Sequence, residues 1–119
     1  MFGEHVQFRN CTINNVEILG GAFYRGLTFE NCRFVEQFNM LYTGHNMDGS
    51  IVRFSGCRFE VFADFMDCWF EGPVEFSDCK FLHGSNLLGN LDEPFAVTFD
   101  IQPNFENVQG DLKHNGHSA

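Results

Sequence analysis

Residues 52–81 read VRFSGCRFEVFADFMDCWFEGPVEFSDCKF, and FSGCRF (54–59), FMDCWF (65–70) and FSDCKF (76–81) within them share the form Phe-x-x-Cys-x-Phe. Upstream, FENCRF (29–34) repeats it and FRNCTI (8–13) does so with Ile13 last, so all five are Phe-x-x-Cys-x-apolar. Two residues before each leading Phe lies another apolar side chain: Val6, Leu27, Val52, Ala63 and Val74. The unit is therefore apolar-x-Phe-x-x-Cys-x-Phe, which is two five-residue units read in tandem. Each unit has a small or medium apolar residue, an outward residue, a large apolar residue and two turn residues. An amphipathic helix needs apolar residues at i, i+3, i+4 and i+7, and a sustained period of five does not supply them. Alternate residues of a strand point to the same side, so each unit reads as a very short strand followed by a corner.

The corner two residues after the leading Phe carries Asn10, Asn31, Gly56, Asp67 and Asp78. Gly, Asn and Asp suit such a corner because they tolerate left-handed backbone angles or bond their own backbone. Large residues centre the units at Phe8, Ile13, Ile18 and Phe23, then Phe29 and Phe34, and the frame resumes at Phe54, Phe59, Phe65, Phe70, Phe76 and Phe81. Four units span about 22 residues, and stacking them at the inter-strand spacing of about 4.7–4.9 Å brings like residues into contact. Two ladders are expected: Phe8, Phe29, Phe54, Phe76 and Phe99, and beside it Ile13, Phe34, Phe59, Phe81 and Phe105.

This small, outward, large, x, x order resembles the pentapeptide-repeat family over residues 6–34 and 52–81, and more loosely over 35–51 and 82–105. The resemblance implies an all-β chain folded as a right-handed parallel β-helix, a quadrilateral solenoid of about five coils. It implies little about activity, because the family is functionally mixed. Residues 1–105 form one domain on this reading, with insertions near 39–50 (NMLYTGHNMDGS within it) and 82–95, and 106–119 is a polar, flexible tail.

Sixteen acidic residues against seven basic ones give a formal charge of −9, which opposes direct binding to nucleic acid or to an anionic membrane. No run approaches the roughly 18 apolar residues of a membrane-spanning helix, and the N-terminus lacks the order of a signal peptide. The five cysteines have no CxxC pair, so neither a closed disulfide set nor a zinc site is indicated. In the repeat frame Cys11, Cys32, Cys57 and Cys79 take the small inward position of one face and Cys68 that of another, as buried free thiols. Such thiols favour a reducing compartment, and a cytoplasmic protein is expected.

No nucleophile elbow, phosphate loop or metal-ligand spacing is present, so the expectation is a protein without enzymatic activity, cofactor or metal. Function is then sought on the outside. Thr12, Arg33, Arg58 and Lys80 follow the cysteines of the main ladder and form a basic stripe, with Glu30 and Glu60 as candidate counter-charges. Trp69 projects outward between Cys68 and Phe70, where it has no core duty, and an exposed Trp is often a contact residue. Tyr42 and His45, with Met47, Leu87, Leu88 and Leu91, lie in the insertions. These features describe a scaffold or interaction module with a protein partner. Two alternatives accompany it. Glu17, Asp64, Glu71, Glu75, Asp78, Asp92, Glu93 and Asp100 form an acidic surface of the kind by which some members of the resembled family imitate DNA and bind type II topoisomerases. Unpaired strand edges at the ends of the stack would also serve end-to-end homodimerisation or assembly into a structural rod.

Overall fold

The computed structural model describes residues 6–19, 26–41, 51–90 and 93–115. Twelve strands run through them: β1 Val6–Arg9, β2 Thr12–Leu19, β3 Leu27–Glu30, β4 Arg33–Leu41, β5 Val52–Ser55, β6 Arg58–Phe59, β7 Ala63–Asp64, β8 Trp69–Phe70, β9 Val74–Ser77, β10 Lys80–Phe81, β11 Thr98–Phe99 and β12 Asn104–Glu106. The described residues contain no helix, and every strand pairing among them is parallel.

Three sheets result. The first has the order β1-β3-β5-β9-β12, the second β10-β6-β4-β2 with β7 added on β4, and the third pairs β11 with β8. Within the first sheet, each strand lies beside the one the chain reaches on its next pass. Phe8 pairs with Phe29, Phe29 with Phe54, Phe54 with Phe76 and Phe76 with Phe105. The second sheet follows the same order through Ile13, Phe34, Phe59 and Phe81.

The rings follow the backbone. Phe29 and Phe54 stack at 5.1 Å between centroids, Phe54 and Phe76 at 4.8 Å, Phe34 and Phe59 at 4.7 Å, and Phe59 and Phe81 at 4.3 Å. These separations sit near the spacing of neighbouring strands, so one backbone repeat serves both hydrogen bonding and ring stacking. The two ladders meet edge to face, as in the 5.1 Å pair of Phe29 and Phe34 with planes 80° apart. Between them they bury Phe34, Phe38, Phe54, Phe59, Phe65, Phe70 and Phe76 completely or nearly so.

The corners have the backbone that the residue types require. Asn10, Asn31, Gly56, Asp67 and Asp78 all have φ between 52° and 64°. At Gly56 a side chain would be doubly opposed, by the positive φ and because a Cβ would collide with Asn31 Oδ1 of the preceding layer. The corner between the first two sheets is thus sharp. The next is smoother: β2 and β4 run on for eight and nine residues, with a register shift between Ile13 and Asn15 taking up the change of direction.

The last pass departs from expectation. Phe99 pairs with Phe70 in the third sheet, and Phe105 takes the place on Phe76 that Phe99 was expected to fill. Phe81 is not covered by Phe105; the backbone at Gly110 runs against the Phe81 carbonyl, where a Cβ would collide. Ala63 still bridges Ser85, a separation of 22 residues, whereas Phe70 and Phe99 are 29 apart, so the extra residues enter between Ser85 and Phe99. Asn107, with φ 54°, provides the corner after Phe105 as Asp78 does after Phe76.

The insertions are also narrower than 39–50 and 82–95, because Asn39, Met40 and Leu41 remain in β4 and Phe81 to Ser85 remain in register. Residues 106–115, expected as a tail, are seated on the stack. Phe81 N–H donates to the Gln109 carbonyl at 2.8 Å, Ser85 N–H to Asp111 at 2.8 Å and Leu88 N–H to Leu112 at 2.8 Å. Val108 and Leu112 pack on the core. Unpaired backbone donors on the preceding layer are what hold this polar segment, a force that does not show in its composition.

Candidate interaction surface

The basic stripe is assembled by strand register. Arg58 pairs with Arg33 on one side and with Lys80 on the other, with Thr12 beyond Arg33, and all four side chains are exposed. Like charges one strand spacing apart repel, and Glu60 offsets part of this. Its carboxylate accepts from Arg33 Nε at 2.6 Å and lies 3.4 Å from Arg58 Nε. The Arg33 hydrogen bond holds the Glu60 carboxyl below its ordinary range. Glu30, the other candidate counter-charge, lies instead 3.4 Å from Arg9. Lys80 has no acidic partner among the described residues, which leaves the stripe cationic at that end.

Trp69 is on the third sheet, opposite Thr98 in register, and is 45% exposed. Its indole N–H donates to Asp100 Oδ1 at 2.9 Å, so the ring is fixed in place while nearly half of its area stays available. Tyr42 and His45 fall outside the described residues, as do Met47, Leu91 and Asp92. Leu87 is a core residue and Leu88 half-buried, because this part of the insertion closes over the ladders instead of projecting from them.

Asp64 corrects the expected acidic surface: it is only 2% exposed. Its carboxylate accepts from Asn86 Nδ2 at 2.8 Å and from Met66 N–H at 3.0 Å, while Asn86 Oδ1 accepts from Phe65 N–H at 2.8 Å. Ser85 adds a bond from its hydroxyl to the Ala63 carbonyl at 2.7 Å. A buried carboxylate is tolerated where such donors replace water. Among the other acids, Glu75 lies 3.3 Å from Arg53. The two rows between the rings of the first sheet contain no run of successive carboxylates among the described residues: the Glu75 row reads Gln7, Thr28, Arg53, Glu75, Asn104, and the Glu30 row Arg9, Glu30, Ser55, Ser77, Glu106.

The cysteines are free, and all but the half-buried Cys11 are buried. Each buried thiol of the main ladder reaches a carbonyl one layer back: Cys32 to Phe8 at 3.6 Å, Cys57 to Phe29 at 3.4 Å and Cys79 to Phe54 at 3.3 Å. Cys68 likewise donates to the Met40 carbonyl at 2.6 Å. Burial pushes the Cys32 thiol up, and the hydrogen bond between Cys57 and Cys79 pushes Cys57 up and Cys79 down, so Cys32 and Cys57 stay protonated at neutral pH. Among the described residues no group of His, Cys, Asp and Glu is placed to hold a metal ion.

One feature had no counterpart in the sequence reading. An open groove of about 270 Å³ is lined by Asn15, Glu36, Gln37, Asn39, Val61 and Phe62, with Phe38 at its floor. It forms where β2 and β4 continue through their corner, so that amide side chains from adjacent strands, such as the registered pair Asn15 and Gln37, stand side by side. The polar pairs Asn14-Asn15 and Glu36-Gln37, one layer apart, were the available signal.

No protein family, curated protein or solved structure matches this chain.

Proposed function

We propose that the chain is a right-handed quadrilateral β-helix of the pentapeptide-repeat kind, acting as a non-enzymatic cytoplasmic scaffold that docks a protein partner on its outward rows. The parallel sheets, the return of the chain to the same sheet every 21 to 29 residues and the left-handed Asn, Asp and Gly corners support the architecture. The observation that carries the functional reading is the row Arg33, Arg58, Lys80, a registered cationic strip on a chain of net charge −9. A partner with an acidic ridge complements that strip, while the rest of the surface repels it in any other orientation. Trp69, exposed and held by Asp100, is a second contact of the type that dominates binding energy.

The test is site-directed photo-crosslinking in cells, with a photoreactive residue in place of Gln109, which bridges Lys80 in register and is exposed. A single discrete adduct is expected, lost when Arg58→Gln and Lys80→Gln are added. Equal adduct formation from a control position at Glu93, or no effect of the two neutralisations, would count against the reading. The topoisomerase-inhibitor alternative needs continuous rows of carboxylates, and the sheet rows above alternate acids with Arg, Thr, Ser and Asn instead. A supercoiling assay with DNA gyrase and excess protein is its direct test, with no inhibition expected.

A further inference from the structure

We propose that the first layer of the stack, β1 with β2, is a two-fold interface at which a second copy of this chain docks head to head. The first layer carries the same inward chemistry as the layers after it: Val6, Phe8, Cys11, Ile13 and Val16 stand where the next has Leu27, Phe29, Cys32, Phe34 and Phe38. Interior layers bury these residues between two neighbours. Here only one neighbour is present among the described residues.

Three consequences of that missing neighbour are visible. Phe8 stacks on Phe29 at 5.0 Å with its other side uncovered and is 39% exposed, whereas Phe29 stacks on both sides and is buried. Cys11 donates only to its own neighbour, the Arg9 carbonyl at 3.1 Å, and lacks the carbonyl one layer back that Cys32, Cys57 and Cys79 each reach. β1 and β2 are the outer strands of their sheets at this end, and an uncovered edge is a template for another chain.

The occupant is fixed by charge and shape. Residues 6–19 contain one base, Arg9, and one acid, Glu17, so this end is locally neutral on a chain of charge −9 and is where two copies meet with least repulsion. The opposite end does not continue the pattern, because Gly110 lies where a ring would cover Phe81, and residues 111–114 are bonded across Ser85 and Leu88. A head-to-tail joint is thereby mismatched, and the first layer is left to pair with itself, which closes at two copies.

Sedimentation of the full chain over a range of concentrations tests this, and the expected result is a monomer–dimer equilibrium. Phe8→Glu should abolish the dimer, while Ile101→Glu, at an exposed apolar residue outside the first layer, should leave it unchanged. Cys11 gives a readout that needs no variant: as the most accessible of the five thiols it labels first with a maleimide, and its labelling should slow as dimer forms. A parent that stays monomeric with concentration-independent Cys11 labelling, open-ended oligomers, or loss of the dimer in Ile101→Glu would each overturn the proposal. None of these results depends on the outward rows, so this test and the crosslinking test fail independently.

Discussion

Removing one ring from the middle of a ladder should cost far more than removing the ring at its end. Phe54 is fully buried and stacks between Phe29 and Phe76, with Phe34, Phe38 and Phe65 edge-on at 6.1 to 6.4 Å and Phe59 tilted at 5.8 Å. Buried Phe→Ala changes cost about 3–5 kcal/mol, with the higher values where the surroundings cannot collapse into the space. Collapse here would require the layers above and below to approach closer than strand pairing allows, so Phe54→Ala should fall near 5 kcal/mol. Phe8 has one stacking partner and keeps 39% of its surface exposed, which scales the loss for Phe8→Ala to about 2 kcal/mol. The assay is urea denaturation with linear extrapolation, parent against both variants under conditions where the chain is monomeric. If Phe54→Ala leaves no folded baseline, Phe54→Leu keeps most of the volume and should lose about 1.5 kcal/mol or less. Equal losses for Phe8→Ala and Phe54→Ala would refute the claim that one continuous ladder passes through both.

The register of the last layer has its own check. A double-mutant cycle between Phe76 and Phe105 should show about 0.5–1.5 kcal/mol of coupling and one between Phe76 and Phe99 should be additive. Gly56→Ala should destabilise by about 1–2 kcal/mol in the same assay, the left-handed backbone penalty, with the Asn31 amide turning aside to admit the Cβ. The thiols predict an alkaline limb. Cys32 has a folded pKa raised by burial, so its contribution is complete below the ordinary thiol value of about 8.5 and is lost as pH rises beyond it, whereas the hydrogen bond that raises Cys57 lowers Cys79 and the two act in opposite directions. Urea midpoints should therefore fall between pH 8 and pH 10, less steeply in Cys32→Ala; an unchanged midpoint would mean that Cys32 ionises freely in the folded state.

The strands, the sheet partners and the corners of the first four layers are legible in the sequence because one physical constraint repeats. A residue that packs inward must recur where the chain passes again, and a corner with positive φ admits few residue types. The fifth layer was misplaced because Val97-Thr98-Phe99 imitates Val74-Glu75-Phe76. The better signal was Phe105-Glu106-Asn107-Val108, which repeats Phe29-Glu30-Asn31-Cys32 with Val in the thiol position. Of the outward candidates, the alignment of Arg33, Arg58 and Lys80 follows from period alone. The burial of Asp64 does not, because outward from the ladder is not outward to water once Asn86 lies against it. The groove beside Gln37 is signalled only by the polar pairs Asn14-Asn15 and Glu36-Gln37, since it depends on two strands running through a corner that the repeat predicts.

The distance along the chain between paired strands has a kinetic meaning. No sheet pairing in the described residues joins positions more than 29 apart, and none requires the two ends to meet. Each layer therefore closes a loop of modest entropy on a template already formed, and loop-closure cost rises only slowly with the few extra residues of the longer passes. Order can start in the regular centre, residues 52–81, and spread both ways as it does in other stacked repeats. In the monomer the first layer, which has one neighbour among the described residues, should then be among the last to form and the first to fray, with its amide protons exchanging well before those of β5 and β9.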